Sequence, residues 1–384
     1  MWLTASEALA RLGSKPQTLY ANVSRGRIAA KPDPADSRRS LYNAEDVERL
    51  AARARGRRSA ETVAAETVKW GDPVLPSALS TVVGGRLYYR GKDAAVLSRT
   101  ARVENVATLL WGGDWHDAAS APPAEVAAGG LPAAFAVLAQ RASLDAPSYA
   151  RSEQVLRPEA GSILMTVAAA LTGQTHGSLH SRLANLWGKP ELKDQLRRTL
   201  VLLADHELNA STFAARVAVS TGASLAAGTL AGLAALTGPL HGDASTSVFA
   251  IVERVRSAGA GTAVREWLEQ GRAIPAFGHK LYPAGDIRAT ELLGTLELPQ
   301  AYRDLAAAAE ELTGERPNID FALAALTHIH HLPKEAPITI FALARTVGWL
   351  AHILEQVASG QLLRPRARYV GPPVGGSDAD GSRV

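Results

Sequence analysis

Apolar residues recur at helical spacing through Val103 to Trp111, Leu131 to Gln140, Ile163 to Leu171, Leu196 to Ala204 and Ile338 to Val357, and each stretch predicts a helix with one face turned inward. No run alternates apolar and polar positions over five or six residues, which argues against a Rossmann-like sheet. Gly259-Ala260-Gly261 likewise lacks the strand, turn and helix setting that a phosphate loop needs. Leu87-Tyr88-Tyr89, flanked by Gly84, Gly85 and Gly91, predicts a short β-hairpin. Val217 to Leu240 carries no charged residue and is long enough to cross a bilayer, but Ala, Gly, Ser and Thr dominate it, so it reads as one buried helix. Its Gly228 and Gly232 would let a second backbone approach closely.

The first segment has a different pattern. Thr4 with Glu7 forms a capping box for a helix over Ala5 to Leu12, and Gly13 ends it. Ser14, Lys15 and Pro16 start a second helix through about Ser24, with Leu19 and Val23 on its inner face. A Pro-rich excursion then leads through Arg38-Arg39 to Ser40-Leu41-Tyr42, and Asn43 caps a third helix ending in the basic run Arg53 to Arg58. Residues 1–58 hold 12 Lys plus Arg against 6 Asp plus Glu, a net +6, while the whole chain is only +4. Two short helices joined at a Gly turn and followed by a basic loop form a helix-turn-helix arrangement. The segment resembles winged helix-turn-helix domains of the MerR and excisionase type. That resemblance implies Gln17, Thr18, Tyr20 and Asn22 as base or sugar contacts and Arg38 and Arg39 as phosphate contacts to DNA; the alternative is a basic appendage that is solvated or docks on protein.

At 384 residues, 47% hydrophobic and 20% charged, the chain has the composition of a folded protein of two or three units. Zero Cys excludes a disulfide framework, a thiolate nucleophile and Cys-ligated metal, and fits a reducing, cytoplasmic compartment. The N-terminus has no secretory signal pattern, and no membrane partner is expected. Two His-bearing segments draw attention as metal candidates. On a continuous helix His330 would point away from the face of His328 and His331, which suits solvated surface side chains; His176 and His180 at i, i+4 lack a third ligand and read as structural. No metal is expected.

Three further segments could carry chemistry: Gly238-Pro239-Leu240-His241-Gly242; Phe277-Gly278-His279-Lys280-Leu281-Tyr282 with Arg288 nine residues after the His; and Asn318-Ile319-Asp320-Phe321, a carboxylate among apolar neighbours. In this order they resemble the citrate synthase family. Asp205-His206-Glu207 with Asn209, Arg345-Thr346-Val347-Gly348-Trp349 with His352, Arg364-Pro365-Arg366 and the hairpin around Gly85 to Gly91 extend the resemblance over about residues 73–371. The chain departs from the family pattern at Asp243, Pro283, Ile287 and Ala322-Leu323.

The resemblance implies a mainly α fold: a large helical domain (69–242 and 331–373) and a small helical lid (243–330), preceded by the winged helix-turn-helix domain (1–58) and a linker (59–68), with a tail at 374–384. It implies condensation of acetyl-CoA with oxaloacetate, with thioester hydrolysis, in a homodimer without metal or redox cofactor. Asp320 would be the base that removes the methyl proton. His241 would donate to the thioester oxygen as charge develops there, and His279 would hydrogen-bond and protonate the oxaloacetate carbonyl. Arg288, Arg345 and Arg364, the last from across a dimer, with His206, would hold the dicarboxylate. Lys280 would meet a CoA phosphate. Two rival readings remain: 2-methylcitrate synthesis from propionyl-CoA, since one methylene changes selectivity by only about 1–3 kcal/mol, and a DNA-binding metabolite sensor built on the same fold.

Overall fold

The computed structural model describes residues 2–12, 16–24, 27–34, 36–48, 75–115, 129–239, 241, 244–367 and 369–371. Contacts divide the chain into two units, Met1–Pro76 with Arg366–Val384, and Ser77–Pro365.

In the first unit β1 (Trp2–Leu3) is followed by α1 (Ala5–Leu12), α2 (Pro16–Ser24), β2 (Ala30–Asp33) and β3 (Asp36–Asn43), and the strands pair antiparallel in the order β1-β3-β2. The expected capping box is present. Glu7 Oε2 accepts from the backbone and hydroxyl of Thr4, both at 2.8 Å, and Thr4 Oγ1 accepts from Glu7 N at 3.4 Å. Leu3, Ala8, Leu19, Ile28, Tyr42 and Val47 make a small core, with Val23 packed at its edge. Asn43 Oδ1 accepts from the backbone N–H groups of Glu45 and Asp46 and caps a helical turn at 44–48. The continuation into the basic run, the linker at 59–68 and the tail at 374–384 lie outside the described residues. So do Asp243 and the side chains of Gln17 and Arg38.

The second unit opens with an antiparallel β4 (Ser80–Val83), β5 (Arg86–Tyr89) and β6 (Lys92–Asp93), the expected hairpin with one further strand. The rest is helical: α3 (Ala94–Thr100), α4 (Val103–Trp111), α5 (Gly130–Leu144), α6 (Glu153–Thr172), α7 (Leu179–Leu186), α8 (Lys193–Leu203), α9 (Ala210–Ser220), α10 (Leu225–Leu236), α11 (Ala244–Ala258), α12 (Ala260–Glu269), α13 (Ile287–Leu293), α14 (Gln300–Thr313), α15 (Ile319–Ile329) and α16 (Ala336–Ser359). Among the described residues α16 alone is long and apolar enough to cross a membrane, and 94% of its apolar window is buried inside the fold. It is the axis of the larger core. Leu343, Val347, Trp349, Leu350 and Ile353 are sealed among side chains of α4, α6, α8, α9 and α10.

A second, smaller core gathers Val248, Val252, Val264, Tyr302, Leu305 and Phe321 from α11, α12, α14 and α15. Helix α15 serves both: Phe321, Ala324 and Ala325 face the smaller core, and Ile319, Ala322, Leu323 and Leu326 the larger.

Three expectations are corrected. Val217 to Leu240 is not one helix. A turn at 221–224 separates α9 from α10, with Gly222 at φ +86° and Ser224 Oγ capping α10 by accepting from Ala227 N at 3.3 Å. Gly228 and Gly232 do serve close packing, for a Cβ on either would press on Ile353 or Trp349 of α16. The His328 region is not a continuous helix, because α15 ends at Ile329 and His331 has φ +53°. His328 is half-buried, meeting Arg256 Nη2 at 2.7 Å and stacking edge-on against Tyr302. Finally, α7 begins at Leu179, so His176 and His180 share no helical face; His180 is buried and His176 exposed. Among the described residues no three His, Asp or Glu side chains group as a metal site.

Candidate active site

Backbone pairing fastens the segment bearing His279 to the start of the helix bearing Asp320. Phe277 bridges to Pro317, Gly278 N donates to the Arg316 carbonyl at 2.8 Å, and Asn318 N donates to the Ala276 carbonyl at 2.9 Å. Asn318 then works twice with its side chain. Its Oδ1 caps α15 by accepting from Asp320 N at 3.0 Å, and its Nδ2 donates to the Gly278 carbonyl at 3.1 Å. The approach demands strained or small residues: Ala276 has φ +64°, and at Gly278, φ +70°, a Cβ would collide with the Glu315 carboxylate. Leu281 N donates to His279 Nδ1 at 3.2 Å. A neutral His279 therefore carries its proton on Nε2.

His206 follows Asp205 in a loop held from two sides. Asp205, wholly buried, accepts from Ser80 Oγ and lies 3.1 Å from His352 Nε2, and Arg216 Nε donates to His352 Nδ1 at 2.9 Å. Burial alone would raise the Asp205 carboxyl; its contact with His352 keeps it below its usual value. On the other side Glu207, at φ +50°, accepts from Val82 N at 2.6 Å. The β4 edge thus fixes the loop. His206 Nε2 meets Tyr282 Oη at 2.9 Å, and the His206 and His279 rings stand edge to face with centroids 5.1 Å apart.

His241 meets Ser211 Oγ through Nε2 at 2.9 Å. Ser211 is itself fixed, accepting the indole N–H of Trp349 at 3.1 Å and lying 2.7 Å from Asn209 Oδ1, the cap of α9.

Two of the buried guanidinium groups, those of Arg288 and Arg345, differ in kind. Arg288 is held by Asp286, Nε to Oδ1 at 2.9 Å and Nη2 to Oδ2 at 2.8 Å, and that carboxylate also caps α13 and accepts from Ile319 N. Burial would lower Arg288, but Asp286 more than offsets this and holds it above the usual range. Among the described residues Arg345 has no carboxylate in contact. It donates Nε to the Leu203 carbonyl at 3.0 Å and lies over the Phe341 ring, and burial lowers it to about 10 against the attraction of Asp205.

These groups act on one another. Burial pushes Asp320 up to about 6, with Arg288 and Arg345 pulling against it and Asp286 adding to it. Burial lowers His279 and His241 each to about 4 and His206 well below its usual value, and the cations Arg288 and Arg345 both reach His206. At neutral pH the pocket thus offers a carboxylate base, three uncharged imidazoles and two guanidinium groups. Such a set suits proton removal beside a bound dianion.

Of the residues the sequence singled out, His206, His241, His279, Arg288, Asp320 and Arg345 come together. Arg364 is exposed beyond α16, and Lys280 is exposed on the turn after His279. In the first unit Thr18 and Tyr20 are exposed on α2, Asn22 turns its amide back to the Thr18 carbonyl at 2.8 Å, and Arg39 pairs with Asp36 at 3.3 Å. Ser211, Tyr282, Asp286 and Trp349 were not picked out. Tyr282 and Trp349 stood within the quoted motifs without a role of their own, and Asp286 left a signal by standing two residues before Arg288.

A profile described as "Citrate synthase, C-terminal domain" matches residues 120–366. Citrate synthase 2 of Bacillus subtilis is 39% identical over 190 residues, 47% of this chain and 51% of that protein, and 2-methylcitrate synthase 2 of Corynebacterium glutamicum is 31% identical over 191, 45% and 48%. The match spans about half the length of these curated relatives. The crystal structure of Thermotoga maritima citrate synthase aligns with TM-score 0.64 and 27% identity over 79% of this chain and 94% of that one. The ternary complex of citrate synthase from Thermoplasma acidophilum with carboxymethyl coenzyme A and oxaloacetate aligns with TM-score 0.63 and 25% identity over 78% of this chain and 94% of that one. With the profile matched across more than half of its length, the chain belongs to the citrate synthase family.

Proposed function

We propose that the protein condenses acetyl-CoA with oxaloacetate, giving citrate and CoA. The observation that carries this reading is the placement of Asp320 beside two buried guanidinium groups in a pocket whose imidazoles are uncharged. Asp320 takes a methyl proton from the thioester while His241 donates a hydrogen bond to the oxygen that gains charge. The resulting carbon nucleophile attacks the oxaloacetate carbonyl, whose oxygen takes its proton from His279 Nε2; water then returns a proton to His279 as its oxygen adds to the thioester carbon, and the CoA thiolate leaves with the proton held by Asp320. Arg288, Arg345 and His206 hold the two carboxylates, and Lys280 meets a CoA phosphate.

Propionyl-CoA, giving 2-methylcitrate, is the second reading, favoured by the 2-methylcitrate synthase among the relatives. Mixing the purified protein with oxaloacetate and either thioester, and titrating released thiol, ranks the two. No thiol from either pair would overturn both and favour a sensor.

We also assign a homodimer, through the half-buried apolar residues Phe213 and Val217 of α9 and Leu230 of α10, with Arg364 reaching the partner's site. The domain limits follow the family: a lid over 243–330 on a large domain of 69–242 and 331–373. The first unit we read as a winged helix-turn-helix that binds DNA. Its two helices, three-stranded sheet, exposed Thr18 and Tyr20, and local charge of +6 support this.

A further inference from the structure

Tyr282 stands against His206, His279 and Arg288 without a role in the reaction just described. It is 2% exposed, and its ring centroid lies 5.0 Å from that of His279 and 5.6 Å from that of His206. The Arg288 guanidinium carbon stands 5.2 Å over its ring, a cation–π arrangement that ties the phenol to a group already fixed by Asp286. Its backbone closes the turn after His279, donating N–H to the His279 carbonyl at 2.8 Å and accepting from Gly285 N at 2.9 Å. The position of the phenol oxygen, 2.9 Å from His206 Nε2, is therefore set by backbone, packing and charge together.

We propose that Tyr282 is a positioning residue, whose phenol O–H donates to His206 Nε2 and so fixes His206 in the tautomer that presents its Nδ1–H to a bound carboxylate. A neutral imidazole has one N–H and one bare nitrogen, and the fixed neighbour decides which is which. A phenol is a far stronger acid than a neutral imidazole N–H, and a bare imidazole nitrogen is the better acceptor, so the shared proton belongs to Tyr282. Two consecutive residues then set two tautomers: Leu281 N–H, on Nδ1 of His279, leaves the proton on Nε2, whereas Tyr282 leaves the proton of His206 on Nδ1. The carboxylate-holding part of this inference rests on the function proposed above; the tautomer does not.

The test is long-range 1H–15N correlation of the imidazoles in the full-length protein, with the His206 signals identified by their loss in His206→Gln. Wild type should show the Nδ1–H tautomer at His206, and Tyr282→Phe, which keeps the ring, should shift it toward a mixture or toward Nε2–H. In turnover, Tyr282→Phe should raise KM for oxaloacetate about tenfold and leave KM for the thioester within about twofold, an orientation effect of one hydrogen bond. An Nε2–H tautomer in wild type, or an unchanged tautomer in Tyr282→Phe, overturns the proposal whatever the turnover. The expected tautomer shift in a protein that turns over neither thioester supports the positioning role and overturns the proposed activity instead. If Tyr282→Phe does not fold, the wild-type spectrum alone decides.

Discussion

Asn318 donates its side-chain amide to the carbonyl of Gly278 at 3.1 Å while its oxygen caps the helix of Asp320. One side chain thus couples the residue before His279 to the N-terminus of α15. Asn318→Ala should lower kcat by about 100-fold, because a base displaced by about 1 Å loses that much. The stability cost should stay near that of a lost cap, about 0.5–2 kcal/mol. Steady-state kinetics beside chemical denaturation separates the two. Equal loss of kcat and of folded protein would sink the coupling.

The pH profile follows from the pocket's burial. A base works when ionised, and Asp320 is held up at about 6, so kcat/KM should climb through pH 6 and level above it. His241 and His279, near 4, remain uncharged across that range and add no second proton to the acid limb. A profile flat from pH 5 to 8 with chemistry rate-limiting would contradict the assignment of Asp320.

Ser211→Ala removes the contact that orients His241 and leaves Arg288, Arg345 and His206 alone. Its expected signature is a fall in kcat of about 10- to 100-fold with oxaloacetate affinity unchanged by calorimetry. Weakened oxaloacetate binding would place Ser211 elsewhere in the mechanism.

Arg288 and Arg345 should respond differently to loss of charge. Arg288→Met strands the buried Asp286, and breaking such a pair costs about 3–5 kcal/mol. Arg345→Met strands no carboxylate among the described residues, so its melting temperature should fall less. Both variants should lose oxaloacetate binding. Equal destabilisation would show that Arg345 is held by more than the Leu203 carbonyl and the Phe341 ring.

For the first unit, binding to duplex DNA should weaken as salt rises and vanish on removal of residues 1–58. Mobility shifts at several salt concentrations, with intact and truncated protein, test this. Undiminished binding by the truncated chain would assign it elsewhere.

Helix positions were largely legible in the sequence because apolar spacing is a local property. Val103 to Trp111 was matched by α4, and the Thr4 and Glu7 capping box by the start of α1. The break at 221–224 was missed for the opposite reason: an uncharged stretch gives no polar face to phase, and Gly222 with Ser224 was outweighed by the apolar run. In the site, the family motifs pointed to His206, His241, His279, Arg288, Asp320 and Arg345, which come together, and to Lys280 and Arg364, which are exposed. Ser211 and Trp349 act from behind His241, and Tyr282 from behind His206. Their neighbours are distant in sequence, so no spacing rule reaches them.

Helix α16 carries Arg345, Trp349 and His352 at spacings of four and three, each toward a different station of the pocket: the Leu203 carbonyl, Ser211 behind His241, and Asp205 beside His206. It works as a camshaft, with three lobes cut on one rod. Inserting a single residue between Arg345 and Trp349 would turn the later lobes by about 100° relative to the first, and all three stations could no longer be served at once. Phase along this rod, as much as the identity of any lobe, is what the chemistry depends on.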